Sequence, residues 1–422
     1  MPTNLDTVTT QNTLRNQSTV WALITLFFVP AFIFANMYTT QAILPELGKA
    51  FSISAPTAGL TVSMLVLAVA FGSLVYGPIS DRVGRKPIMV SVSFLVIIPS
   101  LLCGLAPTFT ALVILRTFQG LLMPGLTSVA IIYVSEEFTG KIRGLAMGIY
   151  VSGLTLGGLF ARGGSAVLAS LYSWRIAMLA FTLPTLVAAV IMWRFLPDTH
   201  SQKLREKARA EAHDAQTRAR DSSVHVLSIK NPFVQQTLRD MWLHLHNHRL
   251  VGAFIIGFSS FFAFIGIFTY LPYYLTGPTF GLPPIALGLV YLLWLTGAIS
   301  PLAGAIAARI GSRRAIAFTM GLGAVGLLVT LVPSLPIVIV GLACVTIGMF
   351  STVPAVNLYL GEQAKTAKGT AASMYLSLYY FGGSFGAVLT GFALLWAGWH
   401  GVVFLCLGMV IIALASDALL CR

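Results

Sequence analysis

The chain has 422 residues, 57% of them hydrophobic and only 9% charged, against roughly 25% charged in a soluble domain. So few charges cannot cover a wet surface, which excludes an ordinary soluble globule and indicates an integral membrane protein. The net charge of +13 could suit a polyanion, but it gathers where membrane topology demands it and so argues against a nucleic-acid partner.

Residues 1–19 are polar and read as a cytoplasmic tail. The first apolar run, near 20–44, is too long for a signal-peptide core and lacks a convincing cleavage site, so it reads as an uncleaved helix. Further runs near 57–76, 88–105, 109–133, 144–168 and 174–196 complete a six-helix bundle over 20–196. Each approaches the ~20 residues that cross ~30 Å of hydrocarbon as a helix. Residues 197–249 are a polar cytoplasmic linker, and after Pro232 the residues Phe233, Leu238, Met241, Trp242 and Leu245 alternate with polar ones as in an interfacial helix. His244, His246 and His248 lie there, but only His244 and His248 are helical neighbours and no ligand completes a set, so polar packing is preferred to metal. Six more runs, near 250–275, 285–307, 315–333, 336–358, 370–396 and 401–420, form a second bundle over 250–422. The expected fold is thus an all-α membrane protein of twelve transmembrane helices in two pseudo-symmetric six-helix bundles.

With both termini on the cytoplasmic side, all of the 26 Lys and Arg residues except Lys49, Arg116, Arg162 and Arg175 fall in cytoplasmic tails and loops. That is the positive-inside rule, with the lipid bilayer as the partner. The cysteines Cys103, Cys344, Cys406 and Cys421 show no paired spacing and read as reduced packing residues.

The halves are copies. The hinge Gly77-Pro78-Ile79-Ser80-Asp81-Arg82-Val83-Gly84-Arg85-Lys86-Pro87 returns 227 positions later as Gly304-Ala305-Ile306-Ala307-Ala308-Arg309-Ile310-Gly311-Ser312-Arg313-Arg314, where Ala308 replaces the acid. Gly144 to Ser152 followed by Gly157-Gly158 matches Gly369 to Ser377 followed by Gly382-Gly383, and Trp174 matches Trp399, at an offset of 225. Six spans per copy keep one orientation, which places a ligand site between the halves near mid-membrane.

Candidate functional residues follow from polarity in an apolar setting. Gly77, Asp81, Arg82, Gly84 and Arg85 read either as a conformational latch or as a plain topology-setting basic loop. Arg116 sits inside the fourth span, at a cost of ~2.5–3.5 kcal/mol at a helix centre; it reads as a coupling or substrate residue, or as a packing arginine bonded to carbonyls. Arg162 in the fifth span carries the same functional reading, or snorkels to the interface. All thirteen acids fall in tails, loops or span ends, leaving Glu46, Glu136, Glu137, Glu362 and Asp417 as titratable candidates beside Asp81. Asn36, Tyr38, Thr40, Gln41, Tyr150, Tyr270, Tyr273, Asn357, Tyr359, Tyr375 and Tyr379, with Tyr380, are candidates for a central cavity, and aromatic walls with few fixed charges suit amphiphilic or neutral organic ligands. Interfacial belting accounts equally for any single tyrosine.

These motifs resemble the major facilitator superfamily. Gly77 to Pro87 is similar to its loop signature between spans two and three, and Leu112 to Gly120 to its fourth-span motif. Gly153 to Gly164 is similar to the fifth-span motif of antiporters, with Gly157-Gly158 in place of the usual Gly-Pro. Tyr150-Val151-Ser152-Gly153 and Lys365-Thr366-Ala367-Lys368-Gly369 bring the chain nearest to the YnfM-like branch beside the twelve-span drug:proton antiporters. The resemblance implies that Asp81 and Gly84 stabilise the outward-open state, that Arg116 couples protonation to conformation, and that spans one, four, seven and ten line the cavity.

The resulting expectation is a monomeric secondary transporter in a bacterial inner membrane. It exports small organic or drug-like compounds in exchange for protons, with the proton gradient as energy source and no cofactor. Uptake or exchange of an anionic metabolite or sugar through Arg116 is the rival, and a non-transporting membrane sensor stands further off. No Gly-rich phosphate loop, metal cluster or nucleophile with a base supports an enzyme.

Overall fold

The computed structural model describes residues 4–197, 232–364 and 367–421. Most of the expected linker, residues 198–231, lies outside them. The described chain is helical throughout, with no strand among the described residues.

In chain order the spans of the first half are α1 (Thr19–Ala42), α2 (Ala55–Val83), α3 (Arg85–Gly104), α4 (Phe109–Glu137), α5 (Ile142–Leu171) and α6 (Trp174–Phe195). The helix carrying α1 starts at Asn4, so the described part of the polar tail is a helical extension of the first span. An amphipathic helix, Pro232–Leu245, precedes the second half. There α7 is His248–Thr276, α8 joins Ile285–Gly297 to Leu302–Ile310 across a 46° bend, α9 is Ser312–Val329 and α10 is Leu335–Gln363.

The last helix, Gly369–Leu419, has 51 residues; at 1.5 Å per residue it would measure roughly 75 Å, far more than a ~30 Å hydrocarbon layer. It is broken where Ala397 leaves helical geometry and Gly398 takes φ +58°, a region favouring glycine. Residues 369–396 are therefore α11 and residues 399–419 α12, which brings the spans among the described residues to twelve.

Local chemistry starts and stops these helices. The side chains of Ser54, Thr108 and Ser173 accept hydrogen bonds from the backbone N–H groups of Thr57, Ala111 and Ile176, capping α2, α4 and α6. Gly84 at φ +108° ends α2 and starts α3, and its repeat partner Gly311 at φ +94° does the same between α8 and α9.

Each half contains a close helix pair made by the repeated glycine run. In the first, a Cβ on Gly153 or Gly157 of α5 would drive into the carbonyls of Phe27 and Ala31 on α1. In the second, a Cβ on Gly382 or Gly386 of α11 would meet the carbonyls of Phe258 and Phe262 on α7. The glycine runs let backbones touch, the approach small residues permit between membrane helices.

The halves meet most closely at the end opposite the hinge loops. Tyr273 Oη donates to the Leu44 carbonyl at 3.0 Å, Gln41 bonds Thr269 at 2.9 Å and Ser63 bonds Ser384 at 2.9 Å. A Cβ on Gly288 of α8 would stand 3.2 Å from the Gly163 carbonyl of α5. Toward the hinge end, α2 and α11 stay in touch as far as Ser377, which donates to Ala70. On the other flank α5 and α8 part around a cavity of about 780 Å³ walled by Met147, Val151, Thr155, Leu295, Gly297 and Pro354. Its described lining comes from α5, α8 and α10.

Candidate functional site

Three arginines that sequence reasoning singles out are buried: Arg85, Arg116 and Arg162. Their surroundings differ in kind.

Arg85 opens α3 directly after the Gly84 turn, which points it back along α2. Its Nη2 donates to Asp81 Oδ1 at 2.6 Å and to Glu136 Oε1 at 2.9 Å, its Nε to Glu136 Oε2 at 3.3 Å and its Nη1 to Ser80 Oγ at 2.6 Å. These bonds tie the hinge ends of α2, α3 and α4 together within one half. Arg82 is exposed and Gly77 faces open space. In the second hinge Ser312, the repeat partner of Arg85, donates to Glu362 at 2.9 Å, while Arg313 donates to the Asp417 carbonyl at 3.0 Å. The counterparts of α3 and α4 are joined there by a weaker, neutral donor.

Arg116 on α4 has every nitrogen engaged. Nε donates to the Thr61 carbonyl at 3.3 Å; Nη1 donates to the Asn36 carbonyl and Gln119 Oε1, both at 2.6 Å; Nη2 donates to the Met37 carbonyl at 2.6 Å and Thr40 Oγ1 at 3.0 Å. Gln119 in turn donates to Ser100 at 2.7 Å. Carbonyl dipoles of α1 and α2 solvate the cation, so Arg116 pins α4 to both. Asn36 and Thr40 are consumed in this network, with the Asn36 amide also donating to Thr185 at 2.8 Å.

Arg162 on α5 packs against two rings on adjoining sides, its guanidinium carbon 3.7 Å from the Tyr38 ring centre and 3.6 Å from that of Trp294, with Tyr291 at 5.7 Å. Tyr38 belongs to its own half and Trp294 to the other, so the stack spans the interface. Nε donates to Gln41 Oε1 and Nη1 to the Gly158 carbonyl, each at 2.8 Å. Gln41 passes the link across to Thr269 on α7. Nη2 has no hydrogen-bond partner among the described residues, and neither do Tyr291 Oη and Trp294 Nε1. A desolvated cation over an aromatic face gains about 2 kcal/mol, while an unmade buried donor costs about 1–3 kcal/mol. Stacking thus offsets the open donor without satisfying it.

The other candidates are placed as follows. Tyr150 donates to the Thr127 carbonyl at 2.8 Å inside the first half, Tyr270 to Ala387 at 2.6 Å and Tyr359 to Cys421 at 3.3 Å. Tyr379 stacks on Phe261 at 4.0 Å, Tyr375 Oη is buried without a partner, and Asn357 is exposed. His244 lies 3.3 Å from the Ala367 carbonyl. Tyr291 and Trp294 were missed by sequence reasoning, since an aromatic pair in an apolar run looks like ordinary lipid-facing or packing residues.

Outside the spans, the short helix Leu44–Phe51 carries Glu46, whose Oε2 is buried without a partner. Burial pushes its carboxyl above the ordinary value, against the lowering effects of its own backbone N–H and of Lys49.

The sequence profile of the Major Facilitator Superfamily matches residues 26–387, with a second match over 292–421. The MFS-type transporter YybF of Bacillus subtilis is 30% identical over 97% of this chain and 96% of its own length. The inner membrane transport protein YnfM of Escherichia coli is 31% identical over 92% of this chain and 87% of its own. A bacterial homologue of the human lysosomal transporter Spinster, solved in an inward-facing, unoccupied conformation, superimposes with a TM-score of 0.71 at 15% identity, covering 95% of this chain and 96% of that one.

Proposed function

Given that the chain belongs to the Major Facilitator Superfamily, we propose that it exports small organic, amphiphilic compounds from the cytoplasm by alternating access, in exchange for protons. One observation carries this reading: the interface is closed at one end, by Tyr273, Gln41 and Gly163, and parted at the hinge end around a cavity of about 780 Å³ with apolar walls. With the basic hinge loops on the cytoplasmic side of a bacterial inner membrane, that cavity faces inward. Rocking the halves about the interface would exchange which end is closed. The fifth-span glycines let α5 and α1 move as one body, because a backbone contact leaves no side chains between them to repack.

Arg116 is bound to backbone on every nitrogen, so it serves this cycle by holding α4 against α1 and α2. A second reading, movement of an organic anion, draws on the open Nη2 of Arg162 rather than on Arg116. The test is flux in proteoliposomes: purified protein, an imposed pH gradient and a panel of labelled amphiphiles. Gradient-driven accumulation of at least one compound is expected, and no gradient-dependent flux of any member sinks the reading.

A further inference from the structure

We propose that the pocket around Arg162 binds the carboxylate of an aromatic acid whose apolar body lies toward the cavity between α5 and α8; this rests on the carrier reading above and names its substrate class.

Three buried groups around one guanidinium, Arg162 Nη2, Tyr291 Oη and Trp294 Nε1, have no acceptor among the described residues. All three can donate, and two of them can only donate. A set of donors around a cation in an apolar interior calls for an anion, and Arg162 itself is fully buried.

Tyr38 and Trp294 pack against the guanidinium from adjoining sides, their ring centres 5.5 Å apart, and Gln41 and the Gly158 carbonyl take Nε and Nη1. What is left is Nη2, and a carboxylate is an anion that arginine pairs with through charge-assisted hydrogen bonds. Residues Tyr291–Ile299 form a 3₁₀ helix, in which side chains three apart eclipse. Tyr291, Trp294 and Gly297 therefore share one face: the first two meet Arg162 and the third lines the cavity. On α5, Thr155 of the cavity wall stands two turns before Arg162. Arg162 and its rings therefore lie beyond the deep end of the cavity, behind a packed cluster in which Phe264 and Phe350 lie 5.0 and 5.5 Å from the Trp294 ring. An apolar aromatic body suits that cluster, and a carboxylate at its tip suits Arg162.

The pocket also joins cargo to conformation. Arg162 and Tyr38 belong to one half and Tyr291 and Trp294 to the other, so a carboxylate bridging them is held by both halves only while this end is closed.

The test is equilibrium binding to the full-length protein in lipid nanodiscs at pH 7, with 2-naphthoate and its neutral isostere 2-naphthamide as probes. Wild type is expected to prefer naphthoate by about tenfold or more. Arg162→Gln should erase the preference while leaving naphthamide within about twofold, and Arg162→Lys, which keeps the charge without the planar fork, should retain part of it. Equal affinities in wild type, or a preference that survives Arg162→Gln, overturns the proposal. A cation–π clamp alone, or buried water on these donors, predicts that equality. Should Arg162→Gln fail to fold, the double variant Tyr291→Phe with Trp294→Phe keeps the rings and the charge but removes two donors. It should weaken naphthoate and spare naphthamide, and unchanged naphthoate binding overturns the proposal. Flux of naphthoate in proteoliposomes separates the two readings: selective binding without flux sinks the carrier and leaves the pocket, and flux without carboxylate preference does the reverse.

Discussion

Arg116 and Arg162 are both fully buried, on adjacent helices of one half, and neither has an acid beside it. Arg116 nevertheless spends all its nitrogens on carbonyls, an amide and a hydroxyl of its own half, while Arg162 leaves Nη2 open and faces the other half through Trp294. A buried cation is therefore not in itself a functional site. What separates a structural arginine from a ligand-seeking one is the count of unmade hydrogen bonds and whether its neighbours belong to a moving interface. Arg85 is the intermediate case, buried but neutralised by Asp81 and Glu136.

The contrast is tested most strongly at Arg116. Replacing it by Gln strands the carbonyls of Asn36, Met37 and Thr61, and the expected loss is about 3–5 kcal/mol of stability, read as a large fall in the thermal unfolding midpoint in detergent. The folded fraction should keep its naphthoate preference. Wild-type stability in Arg116→Gln, or loss of carboxylate preference, would break the distinction.

Trp294→Leu removes the ring that the second half lays on Arg162, together with one open donor. The expected cost is about 2 kcal/mol, smaller than at Arg116, because Tyr38 and the bonds to Gln41 and Gly158 remain. An unfolding midpoint as low as that of Arg116→Gln would show that the stack, and not the backbone network, holds the first half.

Most of the architecture is legible in the sequence because it is local. Apolar run length marks the spans, the glycines at 84 and 311 mark the hinges, and the break at Ala397–Gly398 falls between the runs 370–396 and 401–420. The site is less legible because hydrogen-bond partners are a tertiary property. Asn36, Thr40, Tyr150, Tyr270 and Tyr359 are polar residues in apolar runs, and neighbouring carbonyls or Arg116 take up their polar groups. Trp294 and Tyr291 gain their meaning only from the approach of α5 to α8, sealed by Gly163 and Gly288. Nothing in their spacing signals that approach, since the 3₁₀ stretch that aligns them has no sequence marker.

A smaller effect concerns the intermediate arginine. Asp81 is half-exposed and Arg85 keeps Glu136 and Ser80 without it, so Asp81→Asn should cost only about 0.2–1 kcal/mol while slowing flux. Ala308→Asp should change neither, because Ser312 stands where the first hinge has Arg85 and gives the new carboxylate no cation four residues on. Equal loss of flux in the two variants would mean that the hinges are only topological.

The smallest effect sits at the same closed end as Arg162, where Glu46 Oε2 is an acceptor without a partner. Burial holds its carboxyl above the ordinary 4.5, and Lys49 on its own helix, Tyr273 of α7 and Tyr291 of α8 are the titratable or charged groups that sense it. A raised carboxyl binds its proton more tightly in the closed, folded form than in a hydrated one. Its contribution to stability is therefore complete below pH 4.5 and is lost as pH rises through the raised value. The wild-type unfolding midpoint should drift down across that window, and Glu46→Gln should flatten the drift. The same variant bears on Arg162: if its open donor awaits cargo, Glu46→Gln keeps the naphthoate preference of wild type. If instead the preference changes with Glu46, the open donor and the open acceptor are two halves of one ion pair made elsewhere in the cycle, and Arg162 becomes a structural arginine like Arg116, satisfied in a different conformation.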